Sequence, residues 1–138
     1  MIGQRSSAIS AFLRRSSSSS ASQLGHAISV PAISTPKVTF VDSGVAANLL
    51  GQNARSLAQP EAPLGGLLEG FVTMELARQL TWSHTRAELF HYRTKDKVEV
   101  DVVLEDRRGR VVAIDVKASA AVRPDDFRGI NHLGGKAR

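Results

Sequence analysis

The sequence predicts an α/β domain: a small mixed sheet flanked by helices, following a disordered tail. Three observations predict it. Leu64, Leu67, Leu68, Phe71, Val72 and Leu76 recur at helical spacing over 64–80. Two alternating segments, VEVDVVLE (98–105) and RVVAIDVK (110–117), flank Asp106-Arg107-Arg108-Gly109, a turn sequence suited to a hairpin. Pro124 then opens a second helix, with Asp125 and Asp126 complementing its positive end.

The remaining elements follow in chain order. Residues 1–34 are Ser-rich, with five consecutive serines at Ser16–Ser20, and such a segment buries too little apolar surface to offset its ordering entropy. It is read as a disordered tail, although its arginines and lack of acids also suit a mitochondrial targeting peptide. Lys37–Asp42 reads as a short strand, Val45–Leu50 as a short helix ended by Gly51, and Asn53–Pro63 as a loop. Gly65, Gly66 and Gly70 weaken the first half of the long helix, which points to close packing against its backbone. Glu88–Arg93 supplies the first of three strands, and Phe127, Ile130 and Leu133 give the last helix an apolar face. The order is helix, three strands, helix.

Composition narrows the function classes. The chain of 138 residues has no cysteine, which excludes disulfides, zinc–thiolate sites and cysteine nucleophiles. No apolar run approaches the roughly 20 residues of a membrane span, and a cytoplasmic location is expected. The net charge of +5 invites a nucleic-acid reading. However, residues 1–35 contribute +3 of it through Arg5, Arg14 and Arg15, and residues 36–138 are nearly balanced, with 15 basic and 13 acidic side chains. DNA binding must therefore rest on a local patch. Arg93, Lys95 and Lys97 form one short basic run, and Arg107, Arg108 and Arg110 form another; solvation alone accounts for such turns, and contact with a phosphate backbone is the alternative. His26, His84, His91 and His132 lack the spacing of a zinc site, and Ser43 and Ser119 have no evident base beside them.

One pair of strands carries chemistry. If the hairpin pairs Glu105 with Val111, Asp101 lies opposite Asp115, with their Cβ atoms about 5 Å apart. Two such carboxylates repel unless a cation joins them, and Lys117 points the same way as Asp115. A hard divalent ion held by two carboxylates and waters is a typical magnesium arrangement. Without further context, Asp115 and Lys117 also fit a surface ion pair.

Asp101, a hairpin, then Asp115-Val116-Lys117 resembles the PD-(D/E)XK pattern of a nuclease-like superfamily. The strings TPKVTFVDSGVAANLLG (35–51), GGLLEGFVTMELARQL (65–80), LFHYRTKDKVEVDVVLE (89–105) and VVAIDVKASAAVRPDDFRGINHL (111–133) resemble one branch of it. That branch is the domain of unknown function found C-terminal to AAA-type ATPase modules in many bacteria and archaea. The resemblance implies a restriction-endonuclease-like core over 35–138, lacking the family's final strand and so leaving a sheet edge uncovered. It implies Asp101, Asp115, Lys117 and Glu69 as catalytic residues, with Asp101, Asp115 and Glu69 as Mg2+ ligands. A helical wheel places Glu75 nearer the apolar stripe and so keeps it as a second candidate for the helix carboxylate. Val100 stands where the pattern has proline, and the phosphate-binding G-x-x-x-x-G-K-[ST] motif is absent, so no ATP site is expected in this chain. The expected function is magnesium-dependent phosphodiester hydrolysis, with DNA and a separately encoded ATPase module as partners. The alternatives are an inactive DNA- or protein-binding module and a non-functional fragment of a longer ATPase.

Overall fold

The computed structural model of the chain describes residues 9–12 and 37–136. Its centre is a four-stranded sheet of β1 (Ile9–Phe12), β2 (Ala87–Arg93), β3 (Glu99–Asp106) and β4 (Val111–Val116), in the order β1-β4-β3-β2. Every pairing is antiparallel, so the sheet is not the expected mixed one. The edge of β4 that the resemblance leaves open is paired with β1 from Ala113 to Val116. Ile9–Phe12 lies inside the segment expected to be disordered; the rest of 1–34 is outside the described residues.

The β3–β4 hairpin forms because Asp106 organises its turn. The Asp106 carboxylate accepts the Arg108 and Arg110 N–H groups, each at 2.9 Å, and Gly109 adopts the left-handed φ of 71° that closing the turn requires. Arg110 Nε donates to Asp106 Oδ2 at 2.6 Å. These contacts pull the Asp106 pKa down: the Arg110 side-chain bond acts most strongly, followed by the backbone N–H groups of Arg110 and Arg108, and the Arg110 charge helps. The register is the one the turn dictates, with Glu105 opposite Val111 and Val102 opposite Ile114.

Helices close both faces. The α3 helix (Leu64–Trp82) lays Leu68, Val72 and Leu76 against Val102, Leu104, Val112, Ile114 and Val116. A 3-10 turn at Pro124–Phe127 leads into α4 (Arg128–Lys136), whose Ile130 and Leu133 pack with Tyr92, Val100, Val103 and Ala113. Asp126 starts this segment by accepting the Arg123 N–H at 2.7 Å. Among the described residues no helix is long and apolar enough to cross a membrane.

Simple alternation along β3 predicts Val100, Val102 and Leu104 on one face, and the structure corrects it. Val100 packs with Val103 on the α4 side, whereas Val102 packs with Leu104 on the α3 side. The cause is a β-bulge: Phe90 pairs with Val103 and Tyr92 with Val100, so His91 faces both Asp101 and Val102.

Lys37–Asp42, expected as a strand, is unpaired chain running beside α3, with Val38, Phe40 and Val41 exposed. Its anchors are local. Thr39 packs on Gly70, where a Cβ would lie 3.3 Å from the Thr39 methyl group, and the Val41 carbonyl accepts from Arg78 at 2.8 Å. Close packing thus explains Gly70, whereas Gly65 and Gly66 have nothing near them. Asp42 caps α1 (Ser43–Leu49) by accepting the Val45 N–H at 2.9 Å, and Gly51 follows with a φ of 64°. The expected loop holds one further turn, α2 (Ala54–Leu57), closed by a reciprocal cap between Asn53 and Ser56.

The tightest approach between elements is at Gly129, where a Cβ would sit 1.9 Å from the Glu99 carbonyl oxygen. Gly129→Ala must push α4 off the sheet and should destabilise the domain by about 3 kcal/mol in urea denaturation. Gly135→Ala, in the same helix with nothing within 4 Å of the added methyl, should instead stabilise it by about 0.8 kcal/mol through helix propensity.

Candidate functional site

The bulge in β3 lies beside the end of the β3–β4 ladder, where two carboxylates are buried. Asp101 is 8% exposed and Asp115 6%, and they are the buried charged residues among the described part of the chain. Burying a carboxylate is costly unless it is bonded and balanced. Asp101 meets this requirement in an unusual way: its Oδ2 accepts the backbone N–H of Val116 at 2.8 Å, replacing a ladder bond with a side-chain one. Its Oδ1 lies 3.4 Å from Lys37 Nζ.

Asp101 and Asp115 do not form the direct cross-strand pair that unbroken alternation suggests. The bulge turns Asp101 toward the α3 side with Val102. Alternation from Ala113, packed on the α4 side, directs Asp115 the other way. The Asp101 carboxylate nevertheless lies close enough to act on Asp115. Burial, then hydrogen bonding to Asp101 and its charge, push Asp115 up to about 6, against the opposing pull of Lys117. Lys117 Nζ sits 2.9 Å from Asp115 Oδ2. Burial alone would lower the Lys117 ammonium. Its bond to Asp115 and the charges of Asp115, Asp101 and Asp126 outweigh that and raise it, so the group stays protonated at neutral pH.

Glu69 reaches the same neighbourhood from α3, through Lys37. The Lys37 ammonium pairs directly with Glu69 and lies 3.6 Å from Glu99 Oε1 as well as 3.4 Å from Asp101. Glu75, the second candidate, points elsewhere and pairs with Arg78 one turn along the helix. Two further residues border the group: His91 Nε2 is 3.4 Å from Glu99 Oε1, and the Arg93 guanidinium is 4.0 Å from Glu99 Oε2. Sequence reasoning missed Lys37, Glu99 and His91 as neighbours of the site. Glu99 had a usable signal, because it stands two residues before Asp101 on one strand. Lys95 and Lys97 are exposed in the β2–β3 turn, at the same end of the sheet as Asp101, and Lys97 has a φ of 58°.

The donor set is all carboxylate oxygen, which suits a hard divalent cation rather than zinc. In this conformation the carboxylates are held apart. Among the described residues no three His, Cys, Asp or Glu side chains converge as a metal-binding group, and the Lys37 ammonium stands between Glu69 and Asp101. The fold and the site together define an α/β domain with buried acids paired to lysines at a bulged sheet end. Residues 64–138 match the family model described as Domain of unknown function (DUF4143), and the chain belongs to that family. No curated protein and no solved structure matches the chain.

The raised Asp115 gives a pH dependence for the metal-free protein. A carboxyl raised from 3.8 to about 6 on folding contributes stability that is fully present below the unfolded value. That contribution is lost as pH rises through the folded value. Wild type should therefore melt a few degrees below Asp115→Asn at pH 7.5, and the gap should close as the pH falls to about 4. Thermal melts of both proteins across that window check it.

Proposed function

We propose that this domain is a PD-(D/E)XK-like module whose Asp101, Asp115 and Lys117 form a magnesium-dependent phosphodiester-hydrolysis site, with Glu69 as a further ligand. The observation that carries the reading is two buried carboxylates, Asp101 and Asp115, at one end of a bulged strand pair, with Lys117 Nζ 2.9 Å from Asp115. Burial first, and the neighbouring Asp101 second, disfavour the charged form of Asp115, and a cation placed there would favour it. The matched family has no assigned function, so the activity rests on the resemblance and on this chemistry.

In this reading Asp101 and Asp115 would hold the ion, with Glu69 as a further ligand in place of its pairing with Lys37. The ion, when bound, supplies a Lewis acid for the phosphoryl oxygens and lowers the pKa of a bound water. The chain's own residues do the rest. Lys117 stays an ammonium, so it orients the attacking water or stabilises negative charge gathering on phosphorus, and it does not act as a base. The Val116 N–H holds the Asp101 carboxylate in place through Oδ2. Arg93, Lys95 and Lys97, exposed at the same end, are the surface offered to a DNA backbone. An ATPase module as physiological partner follows from the resemblance alone.

A binding module without turnover is the second reading, favoured by the ammonium standing between Glu69 and Asp101. One set of measurements separates the two. Mg2+ or Mn2+ at tenfold excess over its Kd should stabilise wild type by about 1.4 kcal/mol, seen as a melting-point rise of about 5 °C. Asp101→Asn and Asp115→Asn should abolish the rise. Lys117→Ala should keep it and lose cleavage of plasmid DNA. Metal binding without cleavage by wild type means that the site is inherited but idle, and the absence of both a melting-point rise and cleavage rejects the metal site in favour of the binding module or fragment.

A further inference from the structure

The Lys37 ammonium is surrounded by carboxylates from two elements: Glu69 of α3, and Glu99 and Asp101 of β3. We propose that Lys37 is a tethered cation that occupies the carboxylate pocket in the metal-free protein and must leave before a divalent ion can enter. This inference rests on the metal-site reading above and assigns a competitor to that site.

Charge, geometry and the sparse attachment of the segment support it. Glu69, Glu99, Asp101 and Asp115 face two ammonium groups, Lys37 and Lys117, with Arg93 only at the outer edge of Glu99. One ammonium cannot satisfy three carboxylates equally. Lys37 pairs closely with Glu69 and stands 3.4 and 3.6 Å from the other two. It therefore keeps the helix and strand acids near one another while holding them apart. An ammonium also makes at most three hydrogen bonds and carries half the charge of the ion it excludes.

The segment that carries Lys37 is built to release it. Lys37–Asp42 has no strand partner, and its attachments are the Thr39 methyl against Gly70 and the Arg78 bond to the Val41 carbonyl. Lys37 is partly exposed, so its stem can swing outward into water without unpacking the core. Lys117 differs, because it follows directly on β4 and is tied to Asp115 at 2.9 Å. The two lysines thus have separate roles: Lys117 stays with the site, and Lys37 exchanges with the ion.

The test uses the full chain and Mn2+. Isothermal titration calorimetry should show Lys37→Met binding Mn2+ about tenfold more tightly than wild type, the effect of removing one nearby positive charge. Lys37→Gln, milder for folding, should shift the affinity in the same direction, and circular dichroism confirms that both variants fold. In wild type, Mn2+ should increase the acylation of Lys37 by an amine-reactive reagent, read by peptide mass spectrometry, and leave Lys117 unchanged. If wild type binds Mn2+ but the Lys37 variants bind no more tightly and Lys37 reactivity does not change, the competitor role is wrong and the metal site stands. If neither wild type nor the folded Lys37 variants bind Mn2+, both are wrong.

Discussion

The bond from the Val116 N–H to Asp101 Oδ2 is the constraint on which the rest of the structure depends. At 2.8 Å it takes the place of a ladder bond where β3 bulges, and it decides where the paired region of the hairpin stops. Above it, strand pairing from Val102 to Glu105 builds a sheet with apolar side chains on both faces. Below it, no further β3–β4 pair is formed. A buried backbone N–H without a partner would cost about 1–3 kcal/mol, so some acceptor must stand there. A carboxylate does so with a second oxygen to spare, which is why the same residue can close the fold and open a site.

The bulge has a second effect. It moves Val102 into the cluster beneath α3 while keeping Val100 and Val103 beneath α4. Both helices therefore gain a full apolar seat from one strand, and Val100 and Val102 are completely buried. The close approach of Gly129 to the Glu99 carbonyl fixes α4 at that same point. The helix start, the bulge and the acids thus share a few residues, so a change in packing there is also a change in the geometry of the acids.

Short-range chemistry made most of the fold legible. The Asp106–Gly109 turn set the hairpin register because its bonds lie within five residues of one another. The apolar spacing of α3 and the Pro124 start were likewise local signals. Three features were not readable. The bulge arises from the mismatch between β2 and β3, so no property of β3 alone reveals it. Lys37 was hidden because its neighbours Val38, Phe40 and Val41 look like a strand, yet they pair with none of the described strands. The pairing of Ile9–Phe12 with β4 joins residues about a hundred positions apart across a polar stretch, which no local pattern encodes. By contrast, the α2 cap had a readable signal in Asn53 and Ser56 that the prolines around it obscured.

The choice between Glu69 and Glu75 shows how tertiary contacts overrule a helical wheel. A wheel measures distance from the apolar stripe, and by that measure Glu75 lies closer to the core. The site, however, is at one end of the sheet, and α3 crosses the sheet along its length. Position along the axis therefore matters more than angle around it. Glu69 lies six residues nearer the start of the helix, about 9 Å along the axis, at the level where Asp101 emerges. Glu75 is carried past that level and satisfies itself with Arg78. Lys37 links Asp101 to Glu69, and Asp101 also acts on Asp115, which pairs with Lys117. Asp101 is thus the carboxylate common to the Lys37 group and to the surroundings of Asp115, and the Val116 N–H holds it there.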